Sequence, residues 1–217
     1  MSSGQAHSQQ QSIRSFVAVP LSAPVRSAIL AAAEGLSARL PEVKWTRKAD
    51  NLHVTLMFLG QVAPSLLARF GELLGGALGR RPSFSVGLRG VGAFPSLKNA
   101  QVLWVGVDDP SQQLGEVARA VVDVAEQLAV GDVAEQRRRP FRGHVTIGRT
   151  PKRTRGGDAT AALAPWTERA FGQVLVNEVH LYESITGGDA STYVLRGTAA
   201  LEGATHGDRK ERDQGIN

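Results

Sequence analysis

The chain has 217 residues, of which 42% are hydrophobic, a formal net charge of +5 and no cysteine. That length holds one sizeable domain or two small lobes. The lack of cysteine excludes disulfides, thiol catalysis and cysteine-based metal sites. No apolar run approaches the eighteen or so residues of a membrane span, which together with the missing cysteine fits a cytoplasmic location.

In chain order, MSSGQAHSQQQS is polar, lacks an apolar signal core and reads as a disordered tail over 1–12. RSFVAVP at 14–20 reads as a buried strand. Ser22 is placed to cap a helix running to about Leu40, with Pro24 in its first turn and Pro41 after its end. LHVTLMFL at 52–59 reads as a strand closed by Gly60, followed by a helix from Pro64 to Leu78 and strands near 83–91. QVLWVGV at 101–107 is a second buried strand. Ser111 is placed to cap a helix to about Ala129, whose Leu114, Val117, Ala118, Val121, Val122, Ala125 and Leu128 follow helical spacing. A basic loop precedes the strand GHVTIG, and PKRTRGGDAT is a loop before a poorly marked helical piece. FGQVLVNEVHLYES and STYVLRGTAAL read as two closing strands, and the end, over 201–217, reads as a second disordered tail. One domain over 13–200 remains.

Two strands carry the same unusual pattern. Strand side chains alternate with period two, so His53 and Thr55 share one face of an otherwise apolar strand, and His144 and Thr146 stand in the same relation in FRGHVTIGR. A His followed by apolar, Thr, apolar is rare by composition, and two cases among five histidines are rarer still. The order strand, helix, His-x-Thr strand occurs twice, about ninety residues apart. This predicts a diverged internal repeat, with two lobes packed about a pseudo-twofold axis and His53 and His144 across one cleft.

Between Arg137 and Arg155 stand eight Lys and Arg residues and no Asp or Glu. A basic mouth around a polar site suits a phosphate-bearing ligand such as RNA. Two imidazoles facing one phosphate can serve as base and acid, because histidine titrates near neutral pH. The threonine hydroxyls can hydrogen-bond phosphate oxygens. No cysteine, His-x-x-x-His or carboxylate cluster accompanies the histidines at metal spacing, so metal-independent catalysis without a cofactor is expected. His180, in VNEVHLYES, reads as a partly exposed strand residue, His7 and His206 lie in the tails, Trp45 reads as core, and Phe141 suits either a core or a base-stacking role.

His53-Val54-Thr55-Leu56 and His144-Val145-Thr146-Ile147 resemble the paired His-x-Thr-x motifs of the 2H phosphoesterase superfamily. The flanks Arg14-Ser15-Phe16-Val17-Ala18, Trp45, Phe58-Leu59-Gly60, Gly148-Arg149, Leu181-Tyr182-Glu183-Ser184 and Tyr193 resemble its RNA 2′,3′-cyclic phosphodiesterases, formerly described as 2′-5′ RNA ligases. The resemblance implies an α+β bilobal fold, with two antiparallel sheets, flanking helices and a central cleft. It implies hydrolysis of RNA 2′,3′-cyclic phosphate ends to 2′-phosphomonoesters, with His53 as proton donor, His144 as proton acceptor and Arg149 on the phosphate beside Thr55 and Thr146. A monomer is expected. The same site also suits 2′-5′ linked oligonucleotides or ADP-ribose cyclic phosphate, and a non-catalytic RNA-binding module keeps the basic surface without the chemistry. Where the family often has Pro before the second His, this chain has Gly143, which loosens the strand entry and leaves the chemistry intact. Strict alternation puts Arg149 opposite His144 and Thr146, so its use at the site requires a bulge at Gly148 or a strand end there.

Overall fold

Residues 12–151, 156–185, 187 and 191–203 are described by a computed structural model. Three helices of fifteen residues each supply its helical layer: α1 (Ala23–Ser37), α2 (Pro64–Leu78) and α3 (Gln113–Gln127). Each buries an apolar stripe at helical spacing, such as Leu67, Phe70, Leu74 and Leu78 on α2. α1 starts at Ser22 with Pro24 in its first turn, although the Ser22 hydroxyl makes no capping bond. Ser111 does not cap α3. That start is held by the Asp109 carboxylate, which accepts from the backbone N–H groups of Gln113, Leu114 and Gly115. The basic loop holds a short helix, α4 (Val133–Arg138), capped by Asp132 through the N–H of Glu135. A further short helix, α5, spans Thr160–Leu163.

The strands are β1 (Ile13–Pro20), β2 (Lys44–Trp45), β3 (His53–Val62), β4 (Phe84–Ser96), β5 (Asn99–Asp108), β6 (His144–Arg149), β7 (Ala170–Val176), β8 (Glu178–Ile185) and β9 (Thr192–Ala200). The stretch 171–184, expected as one strand, is two, parted at Asn177. Leu201 and Glu202, expected in the C-terminal tail, belong to the fold. Leu201 is buried, and Glu202 exchanges backbone hydrogen bonds with Arg81 and Ser83. Nearly all of both expected tails, with His7 and His206, lies outside the described residues, as do Lys152, Arg153 and Arg155.

All nine strands form one antiparallel sheet in the order β7-β4-β5-β6-β3-β1-β8-β9, with β2 on β6. The two sheets implied by the resemblance are therefore joined. The junction is a single pair, Val54 with Val145. Read outward from it, the order is β3-β1-β8-β9 on one side and β6-β5-β4-β7 on the other. Beyond Val145 the edge of β6 is taken by β2, where Trp45 pairs with Gly148 and Lys44 with Arg149. β3 and β6 thus touch at one point and part, which opens a wedge between the halves. One side of the sheet carries the helices over a continuous core that includes Val17, Ile29, Leu56, Phe70, Leu114, Val145 and Ile147. The helices exchange sides: α1, which follows β1, packs on β6 and β7, and α3, which follows β5, packs on β3. Among the described residues no helix is long and apolar enough to cross a membrane.

Candidate active site

The Val54–Val145 pair fixes what stands next to it. Antiparallel strands run past each other, so the same register carried one residue outward sets His53 opposite Thr146 and Thr55 opposite His144. The four polar side chains of the two motifs thus form a crossed square on one face of the sheet, while Val54 and Val145 point into the core, both almost wholly buried. His53, Thr55, His144 and Thr146 are each half-buried. Among the described residues, neither threonine hydroxyl has a hydrogen-bond partner in the protein.

Both strands then bulge at the same place. On β3 the register slips so that Thr55 pairs with Ala18 and Met57 with Val17, leaving Leu56 extra. On β6, Thr146 pairs with Trp104 and Gly148 with Leu103, leaving Ile147 extra. In each strand two consecutive residues are buried, Leu56 with Met57 and Ile147 with Gly148, and the next one emerges. A bulge resets the alternation. It brings Phe58 back to the face of His53 and Arg149 back to the face of His144. The bulge needed for Arg149 is present, one residue earlier than Gly148 itself. Glycine is required at 148 because a Cβ there would lie 2.6 Å from Val43 and 3.2 Å from the Trp45 ring.

The two histidines are held differently. His144 Nδ1 lies 2.8 Å from the Arg142 carbonyl oxygen. A carbonyl only accepts, so Nδ1 carries the hydrogen and Nε2 keeps its lone pair. The ring stands edge-on to Phe94 at 5.2 Å, and Phe94 in turn packs on Trp104. His53 has no hydrogen bond among the described residues. It is set in aromatic rings instead: Phe16 at 4.8 Å, Tyr193 edge-on at 5.2 Å and Tyr182 at 6.2 Å. Phe16 also touches Phe58, Tyr182 and Tyr193, so it is the hub of this wall. Phe58 is 57% exposed at the rim.

Electrostatics follow from these surroundings. His53 is lowered to about 4, first by burial and then by the charge of His144. His144 is lowered mainly by burial. The Arg142 carbonyl works the other way, and the charge of Arg149 adds to the lowering. The charge of His144 thus bears on His53, and that of Arg149 on His144.

His180 is corrected. It is 5% exposed, not partly open. Its Nε2 meets Glu178 at 2.9 Å and its Nδ1 meets the Tyr182 hydroxyl at 2.8 Å. The pattern Glu-x-His-x-Tyr on one strand face was the available signal, since residues two apart on a strand share a face. The basic run also differs from its sequence reading. Arg137 pairs with Asp123 and Glu126 on α3, and Arg138 and Arg139 both pair with Glu135. Trp45 and Phe141 are partly buried against the core. Among the described residues no group of three or more His, Asp or Glu side chains is placed to share a metal ion.

Residues 25–188 match the family model of the 2′-5′ RNA ligase superfamily. An RNA 2′,3′-cyclic phosphodiesterase of Archaeoglobus fulgidus is 30% identical over 179 residues, which cover 80% of this chain and 92% of that protein. Another, from Methanothermobacter thermautotrophicus, is 30% identical over 173 residues, covering 79% and 90%. Among solved structures, Escherichia coli LigT complexed with 3′-AMP superposes with a TM-score of 0.69 at 26% identity, over 88% of this chain and 98% of that one.

Proposed function

Because the chain belongs to the 2′-5′ RNA ligase superfamily, we propose that it hydrolyses RNA 2′,3′-cyclic phosphate ends to 2′-phosphomonoesters by acid–base catalysis between two histidines. The observation that carries this reading is the crossed square, in which one register pair sets each imidazole beside the other motif's threonine. A phosphate seated there meets two hydroxyls and two imidazoles together. The domain is read as one bilobal unit over 13–200 whose halves are related by a pseudo-twofold through the β3–β6 junction, and it acts as a monomer.

His144 is the base. Its Nδ1–H is committed to the Arg142 carbonyl, which leaves Nε2 to take a proton from water. The water oxygen attacks phosphorus, the bond from phosphorus to the 3′-oxygen breaks, and His53 gives its proton to that oxygen. The 2′-ester bond stays. Thr55, Thr146 and Arg149 hold the non-bridging oxygens as charge builds. His53 must therefore be protonated when substrate is bound, and the anionic phosphate between the rings favours that form. Phe58, exposed at the rim and packed on the buried Phe16, offers an aromatic face to the terminal base.

The test is incubation of the purified protein, in EDTA, with an RNA ending in a 2′,3′-cyclic phosphate. The expected product has gained one water and carries its phosphate on the 2′-oxygen. A 3′-phosphate product reverses the acid and base positions relative to the sugar, and activity that needs an added divalent ion ends the metal-free mechanism.

A further inference from the structure

A cavity of about 950 Å³ lies outside the crossed square, between one face of α3 and the segment 136–143. Leu114, Gly115, Ala118, Arg119 and Val122 form its α3 wall, spaced to share one helical face. Phe141 and Arg142 lie on the other wall. Its inner edge is the backbone of Gly106 and Gly143, and these flank His144: Gly106 is its cross-strand partner and Gly143 its predecessor. The cavity therefore begins one residue from the base of the proposed reaction.

Its charge is not cancelled. Arg137 and Arg139 line it but are engaged by Asp123, Glu126 and Glu135. Asp109 also lines it, yet both its carboxylate oxygens are taken by the first N–H groups of α3. Arg119 and Arg142 have no ion pair among the described residues. What remains open is Phe141 and Gly115, backed by the buried Leu114, Ala118 and Val122, together with the exposed Arg119 and Arg142. That combination suits a nucleotide, which needs an apolar surface for the base and donors for the phosphodiester.

We propose that this cavity is a second nucleotide subsite, which takes the nucleotide preceding the cyclic-phosphate end. This rests on the functional reading above. The base packs on Phe141 and the α3 face, and the phosphodiester lies against Arg119 and Arg142. The consequence is a preference for chain length, since a single nucleoside cyclic phosphate fills the histidine site and leaves this one empty.

Two substitutions address it without touching the histidines. A Cβ at Gly115 meets nothing within 4 Å, so the side chain of Gly115→Leu starts into open space toward the cavity, and it improves helix propensity. Arg119→Glu reverses an exposed charge. Neither should melt below the unmodified protein. With a nucleoside 2′,3′-cyclic phosphate, kcat/KM should be unchanged in both variants. With a tetranucleotide carrying the same end, it should fall about tenfold. Binding of a fluorescein-labelled tetranucleotide ending in a 3′-hydroxyl should weaken by a similar factor, with the slope of log K against log salt smaller by about 0.7 per lost phosphate contact in Arg119→Ala. If the unmodified protein cleaves neither substrate, the functional reading fails and the binding arm still decides the subsite. Unchanged tetranucleotide binding in both variants overturns it. So does an equal loss on both substrates, which makes the cavity a support for the His144 strand.

Discussion

The two histidine strands start alike and end differently. Each reads His-Val-Thr, each bulges one residue later, and each returns a side chain to the open face. On β3 that side chain is Phe58, and on β6 it is Arg149. His53 sits among aromatic rings with no hydrogen bond among the described residues, whereas His144 is pinned through Nδ1 to a carbonyl and feels the charge of Arg149. Two strands with the same local bulge thus carry two different surroundings. The first half presents an apolar wall suited to a base, and the second presents a fixed lone pair and a positive charge suited to water and phosphate. Shared backbone geometry sets where the groups point, and the residues on either side set what each can do.

The comparison is broken most severely at the imidazoles. His53→Ala and His144→Ala should each lower turnover by roughly 10²–10⁴ on cyclic-phosphate RNA. The double variant should lose less than the product of the two, because groups acting in one step are not additive. Steady-state kinetics of the three variants check this. Full activity in either single variant contradicts the mechanism.

The pH profile sharpens the same contrast. In the proposed mechanism the productive form has His53 protonated and His144 neutral. Both rings are held below the ordinary value of 6.5, His53 at about 4. Below the lower value both are protonated and no base remains. Above the higher value both are neutral and no acid remains. The bell of kcat/KM, which reports the free enzyme, should therefore peak on the acid side of pH 6.5. A maximum well above pH 7 is inconsistent with that electrostatic description.

Next come the residues after the bulges. Arg149→Ala should cost on the order of 10² in kcat, as loss of a donor to developing charge does. Phe58→Ala should act mainly on KM, by roughly tenfold, the size of one lost base stack. If Phe58→Ala lowers kcat and Arg149→Ala raises only KM, the division of labour is the reverse of the one drawn from the two strands.

The smallest effect belongs to Arg138 and Arg139. Both are exposed and both are paired with Glu135, so exposed ion pairs of this kind contribute little. Their replacement by Ala should change RNA binding less than twofold. A larger loss, with a shallower salt dependence, restores the cationic run as an RNA contact.

What was legible in the chain follows the range of the forces involved. Period-two alternation and His-x-Thr spacing are local, and so the face shared by each His and Thr could be read directly. The stripe of α2 is equally local, and its bounds, Pro64–Leu78, agree with the sequence reading. The bulges were not legible, apart from the need for one near Gly148, because a bulge depends on the register of the neighbouring strands. The pairing of Arg137 with Asp123 and Glu126 was hidden for a similar reason: the partners come from another element. Asp109 displaced Ser111 as the cap because a carboxylate two residues earlier reaches three N–H groups. His180 was misread although its partners, Glu178 and Tyr182, stand two residues away on either side. The joining of the halves into one sheet hangs on one residue pair and has no sequence signature.

The central claim, that the histidines are an unlike pair, is tested most directly by one kinetic measurement. A nitrophenyl phosphodiester has a leaving group that needs no proton. If the enzyme turns it over, His53→Ala should keep most of its activity on this ester while losing it on cyclic-phosphate RNA, and His144→Ala should lose both, since water still needs its base. Sparing of the ester by His144→Ala instead exchanges the two labels, and equal loss of both substrates in both variants contradicts a division into acid and base.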